Sequence, residues 1–233
     1  MAAAAFPGGS TGLINMRWLT RILSNSARPK ALGLTPDLER RIRESFDDSA
    51  ADNEHFPETI DPRIYHVQLI LEHFGDLSGK RVLDVGCGKG RFARVFAERY
   101  PTARITAMDI SEAMLAFVPV PTAPVSGTMT SLPFRDSAFD AAYATESLEH
   151  AVDIERAVAE MCRVLKPGGR LVIIDKNAEH WGKRKTPEWE RWFHRAELEK
   201  LLGRHCRTVS SKFISYWEDV EPDGLFRVWL AVR

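Results

Sequence analysis

From Arg81 onwards the apolar positions switch repeatedly between strand-like runs and helical spacing. Arg81-Val82-Leu83-Asp84-Val85 reads as a short strand, residues 91 to 100 as a helix and Arg104 to Met108 as a second strand. Ser111 to Phe117 is helical, Val125 ends a short third strand and Asp140 to Ala144 forms a fourth. The clearest helix follows, because Ile154, Ala157, Val158, Met161 and Leu165 share one face and Pro167-Gly168-Gly169 stop it. Leu171 to Ile174 is an aliphatic fifth strand. Strands alternating with crossover helices predict a doubly wound, mostly parallel α/β sheet, whose ligands gather at the carboxyl ends of the strands.

The two ends break this rhythm. Trp189 to Leu202 reads as a helix, and Val209 to Trp217 and Leu225 to Val232 as strands joined by the polar turn 218–224, which makes them an antiparallel hairpin. Ahead of the alternation, Thr35 can cap a helix with Pro36 in its first turn, running through Leu38, Ile42 and Phe46 until acidic residues take over. Asp47, Asp48, Asp52 and Glu54 form a helix-poor stretch ending at Pro57, and a second helix spans Asp61-Pro62 to about Phe74. The expected organisation is a flexible extension over 1–34, a helical cap over 35–76 and the main domain over 77–233.

Composition narrows the partners. The 233 residues carry 32 Lys and Arg against 32 Asp and Glu, so there is no global field to draw in a polyanion, and neither nucleic acid nor an anionic membrane is an expected partner. No apolar run reaches the roughly 18 to 20 residues that span a bilayer. Cys87, Cys162 and Cys206 have neither disulfide-framework nor zinc-site spacing, which favours a reducing, cytoplasmic setting. Residues 1 to 36 hold Arg17, Arg21, Arg28 and Lys30 without an acid, which also fits an organelle-targeting peptide, a mobile extension or a start at Met16.

The chemistry concentrates in Asp84-Val85-Gly86-Cys87-Gly88-Lys89-Gly90, between the first strand and its helix. Glycines there let a ligand lie against bare backbone at a helix N-terminus. A dinucleotide fingerprint needs glycine at position 91, where this chain has Arg91. Asp84 would repel a pyrophosphate and attract an ammonium group, while Asp109, about 20 residues beyond the loop, stands where a carboxylate accepts a ribose diol. A ribose, a cationic amino group and no phosphate between them describe S-adenosylmethionine.

Through Val82 to Gly90 and Asp109-Ile110-Ser111 the sequence resembles the class I S-adenosylmethionine-dependent methyltransferases. Leu132-Pro133-Phe134, Phe139-Asp140, Leu148-Glu149-His150 and Leu165-Lys166-Pro167-Gly168-Gly169 resemble the small-molecule branch that includes the ubiquinone and menaquinone biosynthesis type. The resemblance covers roughly 62–175 and implies a seven-stranded Rossmann-like sheet and methyl transfer to a small-molecule acceptor. It assigns Asp84 to the methionine amino group, Gly86, Cys87 and Gly88 to close approach, Asp109 to the ribose and Ile110 to the adenine. Where the family has Gly-Asp-Ala, this chain has Gly127-Thr128-Met129, so Thr128 and Met129, with Leu132, are left to meet the adenine without a charge.

Glu146 would contact the cofactor or remain a solvated carboxylate. His150 is a general-base candidate or a packing residue for the next helix. On the acceptor side, Lys176, Asn177, His180 and Trp181 follow the fifth strand, with His180 a second candidate base and a basic cluster behind it at 183–185. Their plainer role is a solvated loop whose tryptophans pack the next helix. His55, Phe56, Tyr65 and His66 are further pocket candidates. A nucleic-acid or protein methyltransferase is the alternative, the former disfavoured by the charge balance and by the lack of an Asn/Asp-Pro-Pro-Tyr/Phe motif; a nicotinamide dehydrogenase is weakened by Arg91 and Asp84, and a noncatalytic cofactor-binding subunit comes last. The oligomeric state has no signature.

Overall fold

The computed structural model describes residues 36–181 and 186–233; the N-terminal extension, Thr35 and the basic cluster at 183–185 lie outside the described residues. Seven strands form one sheet in the order β3-β2-β1-β4-β5-β7-β6. They are β1 (Arg81–Val85), β2 (Arg104–Asp109), β3 (Ala123–Ser126), β4 (Phe139–Thr145), β5 (Leu165–Lys176), β6 (Thr208–Ile214) and β7 (Phe226–Val232). The first five run parallel, and β7 inserts antiparallel between β5 and β6. The strand order reverses between β1 and β4, so the crevice at their carboxyl ends is where a ligand site is expected.

The helices are α1 (Pro36–Ser49), α2 (Tyr65–Phe74), α3 (Arg91–Arg99), α4 (Glu112–Leu115), α5 (Ile154–Val164) and α6 (Arg195–Gly203). Alternate residues of the strands feed two cores. Leu83, Val85, Met108 and Ile173 pack with α5 and α6 on one face; Val82, Ile105, Tyr143 and Val172 pack with α2 and α3 on the other. Ile64, Val67, Ile70 and Phe74 of the second helical segment are therefore part of the main core. Among the described residues only α1 sits as a cap, its Asp47 Oδ1 accepting the Ser111 hydroxyl at 2.6 Å above α4.

Several boundaries differ from the periodicity. The first helix continues through Asp47 and Asp48 to Ser49, and the second begins only at Tyr65, whose N–H bonds the Tyr216 carbonyl at 2.9 Å. The fourth helical segment shrinks to one capped turn, with the Ser111 hydroxyl accepting the Met114 N–H. The predicted helix over 189–202 forms only from Arg195. Its first residues are instead drawn out by tertiary bonds, Arg191 N–H to Glu149 and Phe193 N–H to Lys176, which override helical spacing. The sixth strand ends at Ile214 rather than Trp217, where the Ser215 hydroxyl bonds the Val220 carbonyl across a turn. Cys162 and Cys206, remote in sequence, have their sulfurs 3.6 Å apart as free buried thiols.

Candidate active site

The glycine loop is held by its own backbone. Gly86 and Cys87 both donate to the Met108 carbonyl, at 2.8 and 3.0 Å, tying the end of β1 to β2. Gly86, Gly88 and Gly90 all have positive φ, and Gly90 starts α3 from the left-handed region. A Cβ at Gly86 would lie 2.5 Å from Ser147 Cβ and 2.6 Å from Met129 Cε, so only glycine fits. A Cβ at Gly88 would meet nothing within 4 Å. There is thus open space beside bare backbone where the sequence predicts a cradle.

Asp109 lies beside it. Its Oδ2 accepts the Gly88 N–H at 2.8 Å and its Oδ1 the Ser111 N–H at 2.9 Å, leaving each oxygen a further lone pair for a ribose hydroxyl. Burial nevertheless pushes its carboxyl above the ordinary range, against the pull of the two amides. Asp84 is 1 % exposed and accepts the Tyr143 hydroxyl at 2.8 Å. Burial raises its pKa to about 7, the Tyr143 bond opposing and the Asp109 charge adding to the rise. A buried carboxyl so disfavoured as an anion gains from a cationic ligand. The donor set thus fits S-adenosylmethionine: an acceptor pair for a ribose, a carboxyl for an ammonium, and open backbone between them.

The Gly127 N–H bonds the Asp109 carbonyl at 3.0 Å, which brings half-buried Thr128 and Met129 alongside Asp109 and Ile110. The Thr128 hydroxyl is shared with Thr130 at 3.1 Å. Leu132 differs from its predicted role: it is buried in the core, with Glu160 taking its N–H and Arg163 donating to its carbonyl, so it anchors the loop. Cys87 is also a structural neighbour, its thiol pushed up by burial and bonded to the Gly88 carbonyl.

Beyond β4, Glu146 adopts φ 50° with its N–H on the Ile174 carbonyl and its carboxylate 3.3 Å from Arg91. His150 stands edge-on to Phe46, with ring centroids 5.1 Å apart, and Phe46 in turn meets Phe56. Burial lowers its pKa to about 4, so its imidazole is neutral near pH 7, and its Nδ1 has no partner among the described residues.

Lys176 is not an acceptor-pocket residue. Its ammonium is buried between Glu149 at 2.5 Å and Glu190 at 2.9 Å, while Trp192 Nε1 donates to Glu190 at 2.6 Å. Burial and the neighbouring acids push the Glu149 carboxyl well up, whereas Lys176 holds Glu190 down. Glu149, His150 and Glu190 have ligand atoms within 4.8 Å of one another, yet the Lys176 ammonium already occupies the cation's place between the two carboxylates. Asn177 is buried and donates to the Gly224 carbonyl, His180 packs against Gly224 and Trp181 stacks edge-on to Trp192. The loop after β5 is thereby knitted to the hairpin, and His180 faces Gly224 while His150 faces Phe46.

His66 is the residue whose importance the sequence reading underrated. It is 1 % exposed with neither ring nitrogen bonded among the described residues, packed against Tyr216 and Phe226, and Glu146 and Arg91 are the charges that act on it. The available signal was a histidine embedded between Ile64 and Val67 on an apolar helix face. His55 sits on Asp52, and Tyr65 receives a bond from Lys212. Among the described residues no helix is long and apolar enough to cross a membrane.

Residues 83–173 match the family described as methyltransferase domain. The chain is 38 % identical over 111 residues to the O-methyltransferase cnsE of Penicillium expansum, covering 44 % of this chain and 40 % of that one. It is 34 % identical over 123 residues to the demethylmenaquinone methyltransferase of Renibacterium salmoninarum, covering 51 % of each. It thus spans about half or less of the length of these curated relatives. The fold matches that of geranyl diphosphate C-methyltransferase from Streptomyces coelicolor, solved with S-adenosyl-L-homocysteine, at a TM-score of 0.62 and 17 % identity over 86 % of this chain and 98 % of that one. Residues 83–173, which carry the glycine loop, Asp109 and the segment after β4, belong to the S-adenosylmethionine-dependent methyltransferase family.

Proposed function

We propose that this protein transfers a methyl group from S-adenosylmethionine to an oxygen, nitrogen or carbon atom of a small-molecule acceptor. The observation that carries the reading is the pairing of Asp84 and Asp109 across an open glycine cradle at the switch point between β1 and β4. When bound, the cofactor supplies an electrophilic methyl group on a sulfonium. Asp84 would hold its ammonium end, Asp109 its ribose, and Ile110, Thr128 and Met129 its adenine.

The protein's main task is alignment, since in-line displacement is accelerated chiefly by holding acceptor, carbon and sulfur in register. The acceptor would enter between α1 and the segment that follows it, which supply Phe46 and Phe56, and the segment carrying Glu146 and His150. His150 would serve as the base for a hydroxyl or amine acceptor: it is neutral with Nδ1 unpartnered among the described residues, and its buried, lowered pKa means that the bound acceptor or cofactor must raise its basicity. An acceptor that is already anionic needs no base.

Incubating the full chain with methyl-labelled S-adenosylmethionine and a metabolite extract, then separating products by mass spectrometry, tests this. Label should appear in a low-molecular-weight product and disappear with Asp109→Ala. Label confined to nucleic acid or protein, or none at all, overturns the reading.

A further inference from the structure

A groove of about 440 Å³ opens at the opposite end of the sheet from the glycine loop. Arg81 and Arg104, which begin β1 and β2, line it together with Thr106, Val125, Phe134 and Arg135. Arg81 lies four residues before the end of β1, about 13 Å along the strand, so this is not the methyl-transfer site. The groove exists because β3 connects to β4 through a loop, residues 127–138, that contains no helix to cover this face.

Its arginines are unusual. Arg81 and Arg104 are direct partners in the parallel register, and like charges set side by side on a sheet repel. Neither of them, nor Arg135, makes an ion pair or side-chain hydrogen bond with another described residue. The nearby carboxylates are already engaged, Asp140 by Lys166 at 2.5 Å and by the Arg81 N–H, and Asp136 by Arg163. In a chain of zero net charge, three uncompensated guanidinium groups around one concavity form a local anion trap.

The groove is also preformed. Arg163 donates to the carbonyls of Leu132 and Phe134, at 3.1 and 2.8 Å, while Glu160 holds both Arg163 and the Leu132 N–H. The loop bearing Phe134 and Arg135 is therefore fixed before any ligand arrives. The volume is that of a small-molecule site, and Phe134 and Val125 give it an apolar wall.

We propose that this groove binds a phosphorylated small organic molecule, its phosphate held by Arg81, Arg104 and Arg135 and its apolar part lying on Phe134 and Val125. Guanidinium forks match phosphate oxygens, and three positive charges suit a phosphate dianion better than one carboxylate.

Calorimetric titration of the full chain with phenyl phosphate and with inorganic pyrophosphate, each with and without saturating S-adenosyl-L-homocysteine, tests the proposal. Both anions should bind saturably, more weakly as salt rises, and equally in the two states of the cofactor site. Arg104→Ala and Arg135→Ala, both at exposed positions that leave the fold intact, should each weaken phenyl phosphate about tenfold or more. Absence of saturable binding, unchanged affinity in both variants, or displacement by S-adenosyl-L-homocysteine overturns it. So does citrate binding as tightly as pyrophosphate, which marks a general polyanion patch, or a polyglutamate peptide binding more tightly than either, which gives the face to an acidic protein.

Discussion

Asp84→Asn separates the stability of this site from its function. The ionised Asp84 carboxylate is buried beneath the glycine loop, and its pKa moves from 3.8 to about 7. Because the folded state holds this proton more tightly than the unfolded chain, stability falls as pH rises from about 4 to 7 and stays low above that. A displacement of that size makes the ionised form unfavourable by about 4 kcal/mol. Asparagine keeps an acceptor for the Tyr143 hydroxyl and removes the charge. The variant should therefore match the parent near pH 4 and exceed it at pH 8 by up to about 4 kcal/mol, or about 10 °C in Tm for a domain of this size. The same change should weaken S-adenosyl-L-homocysteine by about tenfold or more, since the ligand's ammonium loses its charged partner. Urea unfolding at the two pH values and a calorimetric titration read the two halves. An apo variant less stable than the parent at pH 8, or an undiminished cofactor affinity, refutes the argument.

The other predictions concern packing and charge. Gly86→Ala drives a Cβ into Ser147 and Met129 at positive φ and should cost about 2 to 4 kcal/mol by urea unfolding, whereas Gly88→Ala, with open space around it, should cost only the left-handed strain of about 1 to 2 kcal/mol and still weaken the cofactor. Lys176→Met strands Glu149 and Glu190 without their shared cation and should destabilise by about 3 to 5 kcal/mol at pH 7, measured the same way. His66 is held neutral by burial, its pKa lowered from 6.5 to about 4, so it contributes stability that is present above pH 6.5 and is lost, to about 3 kcal/mol, as pH falls toward 4. Relative to the parent, His66→Leu should therefore gain about 3 kcal/mol between pH 6.5 and pH 4, read as the change in the difference between the two urea-unfolding free energies.

What could be read from the chain were features fixed by a few consecutive residues. The alternation from Arg81 to Ile174, the positive-φ glycines and the carboxylate closing β2 are all local, and the fold brings the glycine loop and Asp109 together, Gly88 N–H on Asp109. The misreadings arose where distant residues decide the conformation. Trp189 to His194 has a helical composition, but the partners that straighten it, Glu149 and Lys176, come from two other segments. Lys176 resembled a pocket cation because its two buried carboxylates lie 27 and 14 residues away. The proximity of Cys162 and Cys206 likewise depends on how α5 meets the end of α6. Arg81 and Arg104 belong to different strands, and only the β1–β2 register sets them side by side.

The central claim, that the Asp84–Asp109 cradle is an S-adenosylmethionine site, is tested most directly by calorimetry of S-adenosyl-L-homocysteine and NAD against the full chain and its Asp109→Ala variant. The structure predicts one saturable site for S-adenosyl-L-homocysteine, strongly weakened in the variant, and no displacement of it by NAD. Binding of NAD alone, or an affinity for S-adenosyl-L-homocysteine that is indifferent to Asp109, would contradict it.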